Sequence, residues 1–145
     1  MKTFTGEGFG KILVINLKRG EKVLESIKTA VKEADIRDGV ILSAIGSLQK
    51  AHFHRVISTK DEPEDEFVFI EKPIELASLQ GIIADYEPHF HMVVSDVEQA
   101  YSGHLEPDTT VVYLAEITIA EVKGLALQRV KGEFGIATLE ARTAS

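Results

Sequence analysis

The hydrophobic pattern begins at residues 10–17, where β-branched residues crowd a short apolar run and predict a buried strand. Gly20 breaks that run. Over residues 21–34 the spacing becomes helical. Val23, Leu24, Ile27, Val31 and Ala34 share one stripe, while Lys22, Glu25, Lys28 and Lys32 take the wet face. Glu21 suits the positive end of the helix dipole. A second strand is predicted over 40–47, with Gly46 marking a bulge or a close backbone approach. Residues 50–57 alternate, with Ala51, Phe53, Arg55 and Ile57 on one side and His52, His54 and Val56 on the other. Strands follow at 67–70, 74–85 and 89–95. The longest strand signal spans 109–122, with Val111, Tyr113, Ala115, Ile117 and Ile119 on one side. Residues 125–139 alternate less clearly and contain Gly132 and Gly135. Residues 61–66 hold five acids around Pro63, a spacing that suits a solvated loop better than a cation cage.

One long helix and seven or eight strands make up this tally, and most connections are too short for helical crossovers. The pattern therefore predicts an α+β fold: one domain over residues 1–145, a mixed, mainly antiparallel sheet of about seven strands, and one principal helix on one face. The other face has no second layer in the chain. Its apolar residues call for another subunit, so an oligomer is expected.

Composition narrows the function classes. The chain has 145 residues and no cysteine, which excludes disulfides and thiolate metal sites and suits a reducing compartment. Its first residues lack the apolar stretch of a signal peptide, and no apolar run approaches the roughly 18 residues of a membrane span. A cytoplasmic protein without membrane partners is expected. The net charge is −7 and no run of five basic residues exists, a poor footprint for a phosphate backbone.

The candidate chemistry lies in His89-Phe90-His91, followed by His104 in Ser102-Gly103-His104-Leu105. On a strand His89 and His91 face the same way, roughly 6–7 Å apart. A third imidazole from a nearby turn completes a triad, and three neutral imidazoles with an open fourth position form a known zinc geometry. The competing reading is coincidence, or hydrogen-bonded core rings. His52-Phe53-His54 repeats the spacing, but no third ligand follows nearby, so it reads as an ordinary strand face. Glu116, on a very apolar strand, needs a partner or a task. A cupin-type site is rejected, because the intervals of three or four residues beyond His91 end at Ser95 and Asp96, and the first glutamate is Glu98.

The ordered series Arg19-Gly20-Glu21-Lys22-Val23, Ile45-Gly46-Ser47-Leu48, Leu79-Gln80-Gly81, Pro88-His89-Phe90-His91, Gly103-His104-Leu105 and Leu127-Gln128-Arg129 resembles the plants-and-prokaryotes-conserved (PPC) domain family over almost the whole chain. The resemblance implies a trimer and, in some prokaryotic members, a metal held at His89, His91 and His104. Zinc is the expected ion, with other divalent transition metals open. Glu116 or Asp96 then becomes a supporting or general-base candidate, and Arg129 either holds an anionic ligand or pairs with Glu116. Plant members join the domain to an AT-hook. No Arg-Gly-Arg-Pro element occurs here, so that DNA contact does not carry over. Three functions remain: a trimeric metal-binding domain with an unknown small ligand or substrate, a DNA-associated regulatory protein, and a module that recruits partners. Nothing in the sequence decides whether the chain is an enzyme.

The charge distribution leads to a direct expectation. A long A·T-rich duplex should bind weakly, and a salt titration should abolish the interaction by moderate ionic strength. Submicromolar affinity persisting near physiological salt would put the DNA reading first.

Overall fold

The computed structural model describes residues 1–143. Nine strands and one α-helix follow in order: β1 (Gly8–Lys18), α1 (Val23–Glu33), β2 (Gly39–Val56), β3 (Asp65–Ile70), β4 (Ile74–Ala84), β5 (Glu87–Ser95), β6 (Ala100–Leu105), β7 (Thr110–Lys123), β8 (Leu127–Lys131) and β9 (Ala137–Ala141). Seven strands form one sheet in the order β1-β7-β2-β4-β5-β6, with β3 paired to β2. Every pairing in it is antiparallel, so the expected α+β architecture is what forms. Strands β1 and β2 both run against β7 and are therefore parallel to each other, and α1 is the crossover between them.

Two departures from the sequence reading have clear causes. The strands expected at 40–47 and 50–57 are one long strand, β2, because Leu48 is fully buried and Gly46 passes close against Ala115. Register shifts along β2 absorb the irregularity that looked like a break. The helix starts two residues late. Lys22 is extended and bridges Thr110, Val23 N–H donates to Thr109 O at 2.9 Å, and the Glu21 carboxylate accepts the Lys18 N–H at 2.6 Å. Backbone pairing to β7 thus outcompetes the first helical turn.

The segment after β7 folds as a separate hairpin of β8 and β9, joined through a short 3-10 turn at Glu133–Gly135. Leu127 is buried, its N–H donates to Asp38 Oδ1 at 3.0 Å, and Arg142 bonds both Leu127 O and Asp38. This ties the hairpin to the body of the fold.

Alternation along the strands separates two faces. Inside, Phe53, Phe90, Leu105, Met92, Ile117 and Ile119 form one core with Val23, Leu24, Ile27 and Val31 of α1. Burial of each such helix side chain contributes about 1.5–3 kcal/mol. The opposite face carries no helix. Ile12, Val14, Leu114 and Ile45 share it through paired strands and stay open to solvent, Val14 at 67% and Ile45 at 52%. Among the described residues no helix is long and apolar enough to cross a membrane.

Gly81 has φ +140°, and a Cβ there would lie 2.1 Å from His89 O. Gly81→Ala should therefore destabilise the fold by about 2 kcal/mol or more in chemical unfolding. A change within about 0.5 kcal/mol, the range of ordinary surface substitutions, would show that the β4–β5 contact yields freely.

Candidate metal centre

The outward positions of three neighbouring strands carry the histidines. On β5, His89 and His91 flank the buried Phe90; on β6, His104 lies between the buried Gly103 and Leu105; on β2, His54 follows the buried Phe53. The turn expected to carry His104 is in fact strand β6. His104 is the direct cross-strand partner of His91 on one side and of His54 on the other. That double pairing exists because β6 closes back onto the end of β2.

Ring centres lie 5.5 Å apart for His89–His91, 4.8 Å for His89–His104 and 5.5 Å for His91–His104. A tetrahedral ion at about 2.0–2.1 Å from three imidazole nitrogens holds ring centres about 5 Å apart. The ring centres meet that spacing, but among the described residues only His54, His104 and Glu106 bring donor atoms within 4.8 Å of one another, so an ion at the triad requires His89 and His91 to turn their nitrogens toward His104. Burial, followed by the nearby Arg129 charge and the other imidazoles, pushes His89 down to about 4. Burial also lowers His104. Both rings are therefore neutral at pH 7, the form that ligates.

His54 and Glu106 were missed as site residues. Glu106 Oε1 sits 2.5 Å from His54 Nδ1 and 3.2 Å from His104 Nδ1. The His54 and His104 rings stack at 4.5 Å. Ligand atoms of His54, His104 and Glu106 lie within 4.8 Å of one another, close enough to hold an ion. The hydrogen-bond lengths support a supporting role instead: one carboxylate accepts from both Nδ1–H groups and leaves the two Nε2 lone pairs free. Period-two alternation from His104 would have found Glu106. The spacing of His52 and His54 was visible, but their partner lies fifty residues away.

The other candidates fall elsewhere. Glu116 is exposed on the outward face of β7, opposite Asn16 and Ile45, and makes no ion pair with Arg129. A polar exit to solvent satisfies it, so neither the pair nor a role beside the histidines forms. Asp96 is nearly covered and committed to the β5–β6 turn. It pairs with Lys72, accepts N–H bonds from Glu98 at 2.7 Å and Gln99 at 2.9 Å, and accepts from Tyr101 Oη at 3.0 Å. Chiefly through Lys72, these partners hold its carboxyl well below the usual range. It lies five residues beyond His91, roughly 16 Å along an extended chain. Arg129 sits half-buried on β8 with only a 3.4 Å contact from Nη1 to Ala137 O.

Residues 4–123 match the model of the Plants and Prokaryotes Conserved (PCC) domain. A plant- and prokaryote-conserved protein from Pyrococcus horikoshii is 28% identical, with a TM-score of 0.81 over 99% of this chain and 100% of that one. A protein described as metal-containing from Archaeoglobus fulgidus is 27% identical, with a TM-score of 0.77 over 93% of this chain and 95% of that one. The bifunctional protein GlmU of Synechococcus sp. (strain JA-2-3B'a(2-13)) is 27% identical over 112 residues, 77% of this chain and 17% of that protein. The chain thus spans about a sixth of the length of the curated relative it matches.

The shared carboxylate dictates a measurable tautomer. Long-range 15N–1H spectra of the metal-free protein should show His54 and His104 as Nδ1–H tautomers, and Glu106→Ala should shift both toward the Nε2–H form. Two Nε2–H rings in the unmutated protein would contradict the role assigned to Glu106.

Proposed function

The chain belongs to the Plants and Prokaryotes Conserved domain family, and from that premise we propose that it is a homotrimeric metal-binding domain with His89, His91 and His104 as ligands. The observation that carries this reading is the placement of three imidazoles on one face of the sheet with ring centres 4.8–5.5 Å apart. Zinc suits three neutral nitrogen donors and a site without redox residues. The relative described as metal-containing adds support at 27% identity. When bound, the ion supplies Lewis acidity and lowers the pKa of a water in its open position toward about 7. The chain's own residues position that chemistry. Glu106 orients His104, and the buried Phe90 and Leu105 anchor the strands that present the rings.

The trimer is inferred from the helix-free face, where Ile12, Val14, Leu114 and Ile45 are apolar and open to solvent. A monomer leaves that patch wet, and a closed cyclic assembly covers it without open ends. The absence of cysteine agrees with a cytoplasmic location. An acidic surface of net charge −7 keeps a DNA-associated role second.

Elemental analysis and light scattering on one purified sample test both halves. The expected result is one zinc per chain and a mass of three chains, with the metal lost in His89→Ala/His91→Ala. Unchanged metal content in that variant would reject the ligand set, and a stable monomer would reject the assembly.

A further inference from the structure

Five arginines occur in the chain. Arg37, Arg55 and Arg142 each pair with a carboxylate, and Arg19 is exposed to water. Arg129 differs from all of these. It has no carboxylate partner among the described residues, its Nε is buried without any hydrogen-bond partner, and its only contact is the 3.4 Å approach to a carbonyl of its own hairpin. A buried donor left unpaired is destabilising, so such a group signals a missing acceptor.

Its direction is set by the hairpin. Arg129 lies two residues beyond Leu127, hence on the same face of β8, and Leu127 is buried against the body and tied to Asp38. The guanidinium therefore points toward the body, and the hairpin is moored beside the β4–β5 turn that leads into His89: Arg142 bonds both Leu127 O and Asp85, four residues before that histidine.

Charge balance explains the acceptor's nature. Three neutral imidazoles leave a divalent ion with its full positive charge. Glu106 offsets one unit and Arg129 adds one back, so the site stays strongly positive until an anion enters. We propose that the open position beside His89, His91 and His104 takes a small oxyanion, carboxylate or phosphate, with the Arg129 guanidinium as its second anchor. This rests on the reading of the three histidines as a metal site. Guanidinium geometry matches both oxyanions in bidentate fashion. Arg129 lies on β8, so the C-terminal hairpin supplies the anchor.

The test uses the full chain loaded with Co(II), whose visible absorption reports its coordination. Acetate and inorganic phosphate are titrated separately, and the tighter one names the class of ligand. The unmutated protein should show a saturable spectral change. Arg129→Gln should hold Co(II) at least as tightly, because a repelling charge is gone, yet bind the anion at least tenfold more weakly. Arg129→Lys should recover part of that loss. Equal anion binding in Arg129→Gln and the unmutated protein would overturn the inference. So would a fall in assembly mass in Arg129→Gln, which would assign the guanidinium to a carboxylate of a second copy. A protein that binds no Co(II) defeats the metal reading and this inference together. One that binds Co(II) and ignores both anions defeats the inference alone.

Discussion

The pairing of β6 with both β5 and the end of β2 is the constraint on which the rest depends. Through it His104 faces His91 on one side and His54 on the other. The two-residue period of a strand then does two things at once. It sends Phe53, Phe90 and Leu105 into the core, and it sends the intervening imidazoles outward together. Hydrophobic burial of the inward set holds the outward set in place. A slip of one residue in any of the three strands would bury the histidines and expose the aromatic rings. The energy that fixes the register therefore also fixes the candidate metal centre.

Close approach of backbone reinforces that register. At Gly103 an added Cβ would meet His54 O at 2.5 Å and Phe53 Cδ2 at 2.5 Å, so β6 packs against β2 more tightly than a side chain would allow. At Gly81 the same holds against His89 O. Both glycines sit one strand away from a histidine, at positions where the site has no slack.

Electrostatics divides the molecule into two regions. Several acids lie on the surface in exposed ion pairs, such as Arg55–Glu66 and Lys28–Glu87, each contributing little. The histidine cluster is different. Among the described residues its close carboxylate is Glu106, shared between two Nδ1 atoms. Neutral imidazoles beside a single carboxylate suit a cation, and an ion held there would in turn attract an anion. The open apolar face around Val14 and Ile45 is a separate feature, and it concerns assembly.

By itself the sequence determined whatever is periodic and local. The buried stripe of α1, the strand alternation, the family resemblance and the same-face placement of His89 and His91 all follow from repeats of 3.6 or 2 residues. Only the tertiary structure decided which distant strands meet. It brought His54 and Glu106 to His104, joined the two halves of β2, and aimed Arg129 inward on a hairpin. It also left Glu116 in solvent and bound Asp96 into a turn. These outcomes depend on strand order and on competition among partners for each buried polar group, quantities that no local window of residues contains.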